Sequence, residues 1–180
     1  MKQKNNNTAM IVIICAAVVV AFSVAAIMFA KGNASDSDTP AKGGSLPDSY
    51  VGSWELPADS HVLQYPRNTD MSEDDALADE NDFGVMITYG AYSTHRVGTI
   101  NNPTYKMEKD CGTKEMDKQG MQSDGIMDEF ADGASVTKIE VYNSDQSQLC
   151  DTVFIIDDEY LVYYGTGNYV FCAVKLDAVG

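Results

Sequence analysis

The chain has 180 residues, 44% hydrophobic and 9% aromatic, which suits one folded domain with accessory segments and excludes most large catalytic folds. Ten Tyr, six Phe, one Trp and fourteen Gly argue against wholesale disorder. Twenty-seven acidic residues against twelve basic ones leave a charge of −15, so no nucleic-acid partner is expected, because its phosphates would be repelled.

Residues 1–8 are a polar tail carrying Lys2 and Lys4. Residues 9–30 follow without a single charge, and only Ser23 is clearly polar. As a helix at about 1.5 Å per residue this stretch is about 33 Å long, enough for a hydrocarbon core of about 30 Å. A transmembrane anchor is expected. The competing reading is a cleaved signal peptide, whose apolar region usually runs about 7–15 residues. Small-residue cleavage patterns do exist at Val24-Ala25-Ala26 and Gly32-Asn33-Ala34. Cys15 lies inside the span behind Ile13-Ile14, which does not suit lipid attachment, and reads as a small apolar residue. Lys2, Lys4 and the terminal amine bias the short tail toward the cytoplasm. The expected topology is single-pass in the cell membrane, with the C-terminal domain extracytoplasmic. Residues 31–48, rich in Gly, Ser, Asn and Asp, read as a flexible linker. From Leu46 onward there are 8 basic residues minus 25 acidic ones, a charge of −17, which should keep the domain off anionic lipid.

Residues 49–180 read as a β domain of short runs separated by turn residues. Tyr50 to Leu56 is the first expected strand. In Phe83 to Tyr89, alternation places Phe83, Val85, Ile87 and Tyr89 on one face. Thr94 to Ile100 and Thr104 to Met107 are weaker strands around the turn-favouring Asn101-Asn102-Pro103. Val136 to Tyr142 alternates well, with Thr137, Ile139 and Val141 opposite Lys138 and Glu140. Thr152 to Ile156, Tyr160 to Tyr164 and Tyr169 to Leu176 complete the series through tight connections.

Two segments interrupt this rhythm. Ser72, with Asp75 three residues on, predicts a short acidic helix reaching Glu80. Lys114 to Phe130, with Met116, Met121, Ile126 and Met127, reads as a long loop with a helical turn near Asp128. The fold class is mainly β: about eight antiparallel strands forming a small β-barrel behind the transmembrane helix, with a two-sheet sandwich as the alternative.

Gly52-Ser53-Trp54, opening a meander of short strands, resembles the Gly-x-Trp start of lipocalin-like barrels. The run Phe154 to Leu161 and the closing Val174-Lys175-Leu176 are similar to the last strands of small bacterial lipocalin-like domains. The likeness spans Tyr50 to Leu176, and it departs from lipocalins in lacking a C-terminal helix after the last strands. It implies an apolar interior able to take a small apolar ligand, structural roles for Gly52 and Trp54, and no catalytic residue.

The chemistry-bearing residues do not assemble into a reaction centre. Asp70 to Asp82 holds seven carboxylates, and Asp128 to Gly133 more, but neither has calcium-loop spacing, so solvated loop and helix faces are expected. His61 and His95 lack zinc spacing, and no metal or cofactor is expected. His95 and Arg96, adjacent on an expected strand, should point to opposite faces. Cys111 and Cys150 form the most plausible disulfide pair, with Cys172 buried and unpaired. The least ordinary feature is the C-terminal hairpin, apolar on both faces where a half-exposed sheet would alternate. Either the Met-rich segment covers its outer face or Tyr163, Tyr164, Tyr169 and Phe171 offer a binding surface. The expected function is therefore binding rather than catalysis: a small apolar ligand, or alternatively another envelope protein docked through that aromatic hairpin.

Overall fold

The computed structural model describes residues 46–176. The expected anchor, residues 9–30, and most of the linker lie outside these residues. Among the described residues no helix is long and apolar enough to cross a membrane.

The strands are β1 (Gly52–Glu55), β2 (Val85–Ile87), β3 (Ala91–Thr94), β4 (Gly98–Asn101), β5 (Thr104–Glu108), β6 (Val136–Tyr142), β7 (Leu149–Ile156), β8 (Tyr160–Tyr164) and β9 (Val170–Lys175). The helices are α1 (Glu73–Phe83), α2 (Lys114–Lys118) and α3 (Ser123–Met127). All nine strands join one antiparallel sheet in the order β4-β3-β2-β1-β9-β8-β7-β6-β5. The count agrees with the expected number of about eight, and the single sheet removes the two-sheet sandwich. Because β1 pairs with both β2 and β9, the first and last strands meet in the middle of the sheet. Its two edges, β4 and β5, are consecutive in the chain.

The sheet curls into a half-barrel, and side chains bridge its concave side. Tyr92 on β3 donates to Asp151 on β7 at 2.8 Å, and Tyr105 on β5 donates to the Thr88 carbonyl at 2.8 Å. Trp54, Ile87, Tyr92, Ile139, Val153, Leu161, Tyr163 and Phe171 fill the interior, each fully buried in one cluster. Trp54 Nε1 donates to the Tyr50 carbonyl at 3.2 Å, so its one polar atom is satisfied.

The doubly apolar hairpin has a direct physical cause. Val153, Ile155, Leu161, Tyr163, Phe171 and Ala173 belong to the inner cluster. Their neighbours Phe154, Ile156, Val162 and Val170 face outward, where Met116 of α2, Met121 and Ile126 of α3 cover them. Both faces are buried, so neither needs polar residues. The Met-rich segment is thus two short helices rather than a loop with a single turn.

Several local readings meet the structure differently. Ser72 caps α1 as its spacing predicts, accepting from the Asp75 amide at 3.2 Å. The helix, however, runs on to Phe83, where a strand was expected to begin. Gly84, at φ +63°, ends it, and a Cβ there would lie 2.8 Å from the Trp54 carbonyl oxygen. Val85 and Ile87 are buried, but Phe83 and Tyr89 are exposed. The expected single strand from Thr94 to Ile100 is split: Thr94 ends β3, His95 to Val97 form a turn, and Gly98, at φ +69°, opens β4. His95 and Arg96 therefore lie in a turn, not on opposite faces of a strand. Cys111, Cys150 and Cys172 are free thiols.

Candidate functional site

Two carboxyl side chains, Glu80 and Asp151, are buried among the described residues. Glu80, in the last turn of α1, is fully buried. Its Oε1 accepts from the Thr166 amide at 2.5 Å and its Oε2 from the Tyr163 hydroxyl at 2.9 Å. Gly165 makes this approach possible, since a Cβ there would fall 2.5 Å from Glu80 Oε1. Burial raises the Glu80 pKa, and the two hydrogen bonds only partly offset that. The second group is Asp151, which accepts from Tyr92, from the Thr152 amide at 2.8 Å and from Arg96. Burial raises its pKa too, against the opposing Arg96 charge. Burial also pushes the phenols of Tyr92 and Tyr163 up, so they act as donors and not as bases. Every bond here ends on another group of the fold, which makes both clusters structural ties.

Linkage gives Glu80 a testable sign. A carboxyl whose folded pKa is raised contributes stability below its ordinary value of 4.5 and loses it as pH climbs through the folded value. The stability of wild type relative to Glu80→Gln should therefore fall as pH rises from about 4 into the neutral range. Urea unfolding at several pH values measures this, and a constant difference would mean that Glu80 titrates as if unburied. Glu80→Ala should cost roughly 2–3 kcal/mol, because it strands the Tyr163 hydroxyl and the Thr166 amide.

A groove of about 510 Å³ lies on the outer side of the sheet, within the range of about 300–1,000 Å³ common for ligand sites. Its floor is the strip that α2 and α3 leave partly uncovered: half-buried Tyr160 at the start of β8, with Cys172 and Val174 on β9. One wall is the segment after β1, with Pro57, Asp59, Ser60, His61 and Leu63, and the opposite wall is Glu129, Phe130 and Ala131 just after α3. Asp157 and Glu159, from the turn between β7 and β8, close one end. The Phe130 ring packs edge-on to Tyr160 at 5.4 Å between centroids. His61 Nε2 sits 3.6 Å from Glu129 Oε1 across the mouth.

Among the described residues the groove holds no assembled nucleophile. Burial pushes the Cys172 thiol up to about 12, so it stays protonated at neutral pH and reacts poorly. Among the described residues no three His, Cys, Asp or Glu side chains converge to hold a metal ion. The lining offers apolar contact and carboxylate charge, while Ser60 Oγ is itself buried, without a hydrogen-bond partner among the described residues. Those features suit binding.

The residues proposed from sequence as a binding surface lie elsewhere. Tyr163, Tyr169 and Phe171 are buried in the inner cluster. Tyr164 is half-buried on the outer side, where its hydroxyl donates to the Gln119 carbonyl at 3.3 Å and its ring lies 5.6 Å from the Arg96 guanidinium. Gly52 stands opposite Ile87 in the ladder and Trp54 opposite Val85, both on β1. Sequence reasoning missed the groove because its walls come from segments without periodicity. The one legible sign was the outward, uncovered apolar pair Cys172 and Val174.

Comparison with family models, with curated proteins and with solved structures finds no match. The class that the fold and site define is a curled antiparallel β domain with an external groove. The likeness of Gly52-Ser53-Trp54 to a lipocalin-like opening rests on those residues and on the meander of strands.

Proposed function

We propose that this chain is a membrane-anchored extracytoplasmic binding module, held by residues 9–30 and carrying a lipocalin-like β-barrel domain that binds through its outer groove. The carrying observation is the groove itself: an apolar floor of Tyr160, Cys172 and Val174 between two walls, beside an interior already filled by Trp54, Tyr92, Tyr163 and Phe171. A filled interior leaves little room for the apolar ligand that the lipocalin likeness implies, so the occupant belongs outside. The alternative, an interaction subunit docking another envelope protein, uses the same groove instead of the covered aromatic hairpin.

Native mass spectrometry of the full-length protein, extracted from its own membrane, should find a co-purifying mass. Ala131→Trp, at an exposed position on the groove wall, should remove it. Retention of that mass by the variant would place the occupant elsewhere and sink the groove reading. Topology has its own check: protease added to intact cells or protoplasts should degrade residues 49–180, and protection of that domain would overturn the orientation.

A further inference from the structure

The groove's lining has a one-sided charge. Asp59, Glu129, Asp157 and Glu159 border it, and among the described residues no Lys or Arg lines it. Asp157 is committed to the Ser135 amide at 2.8 Å, and Glu129 faces His61. Asp59, on one wall, and Glu159, at the closed end, have no ion-pair partner among the described residues. Below the rim lie Leu63, Phe130, Tyr160 and Val174. The site thus pairs an apolar trough with negative edges.

Resting on the reading of the groove as the binding site, we propose that its occupant is an extended segment of a partner protein with an apolar side chain flanked by Lys or Arg. The apolar side chain completes the outer cover where α3 ends, over Tyr160, Cys172 and Val174. The flanking cations meet Asp59 and Glu159. Charge complementarity selects this occupant over two others. A second copy of this chain brings a domain of charge −17 to an acidic rim and is repelled. The chain's own flanking segments do not fit either: residues 31–45 hold Lys31 and Lys42 but no large apolar side chain, and residues 177–180 hold no cation.

The test uses the full-length protein in nanodiscs of neutral lipid and three labelled seven-residue peptides of alternating pattern. All three carry Leu and Phe at the apolar positions, with Lys, Gln or Glu between them. Fluorescence anisotropy should show binding of the Lys peptide that weakens with added salt, and little binding of the Glu peptide. Asp59→Asn with Glu159→Gln should weaken the Lys peptide about tenfold, and Ala131→Trp should abolish its binding. All three positions are exposed, so these variants keep the fold. Lys-peptide binding that is indifferent to Ala131→Trp would be attraction to the acidic surface at large, which overturns the proposal. Equal binding of the Gln and Lys peptides, both lost in Ala131→Trp, would overturn the basic class while leaving the groove as the binding site. No binding of any peptide, with a co-purifying small mass still lost in Ala131→Trp, would assign the groove to a small molecule.

Discussion

Trp54→Ala is expected to lower the stability of the β domain by roughly 3–5 kcal/mol, which at this size corresponds to a fall in Tm of roughly 10–20 °C. Trp54 is fully buried, and it stands where the two halves of the sheet join: opposite Val85 of β2 on one side and Lys175 of β9 on the other. Removing the indole leaves a cavity in the inner cluster, to which Val85, Ile87, Leu161 and Phe171 also belong, and frees the Tyr50 carbonyl from its bond to Nε1. Trp54→Phe separates these effects. It keeps most of the apolar volume and loses the hydrogen bond, so it should cost about 1–2 kcal/mol. Calorimetry of both variants reads the ordering directly. A Trp54→Ala protein that melts with wild type would show that the β1 seam is held by its ladder alone, and the structural role given to Gly52-Ser53-Trp54 would fall with it.

What could be read from sequence followed the range of the forces involved. Val136 to Tyr142 was legible to the residue, because Thr137, Ile139 and Val141 alternate cleanly with Lys138 and Glu140 and one face is buried. Ser72 was legible because a cap is a contact across three residues. The turn at His95 and Arg96 was not, since nothing nearby in the chain announces it and Arg96 is drawn to Asp151, fifty-five positions on. Phe83 misled for the opposite reason: it fits the alternation of Val85 and Ile87, but Gly84 turns the chain only after it. The closure of nine strands into one curled sheet depends on β1 meeting β9, a pairing that no local pattern encodes. The groove is less legible still. Its walls are brought together from residues 57–63, 129–131 and 157–160. Sequence periodicity pointed instead at the aromatic hairpin, correctly as a place needing cover, but the cover was already in the chain.

That cover leads to the other large expected effect. The double variant Met116→Ala/Ile126→Ala should lose about 5 kcal/mol and expose an outer face that binds a hydrophobic dye. Each side chain is fully buried, one on α2 and the other on α3, against Phe154, Val162 and Val170. A buried Met or Ile cut to Ala costs about 2–5 kcal/mol alone. The two share one surface, so their costs combine to less than the simple sum. Even so, about 5 kcal/mol reaches the lower end of a whole domain's stability of about 5–15 kcal/mol. Polar contacts should not rescue the variant. Lys138 does tie α2 to the sheet through Glu115 at 2.9 Å, with Glu108 at 2.8 Å beside it. Ion pairs that reach water are weak, and Glu115 also meets exposed Lys118. Removing the ion cluster by Lys138→Gln should therefore shift the unfolding midpoint far less than the double variant does, and urea titration of the two side by side compares them. Should the double variant match wild type in midpoint and stay silent to the dye, α2 and α3 would not be holding the outer face closed. The strip at Tyr160, Cys172 and Val174 would then be one part of a wider open surface rather than the floor of a bounded groove, and a flat docking face would replace the narrow peptide trough.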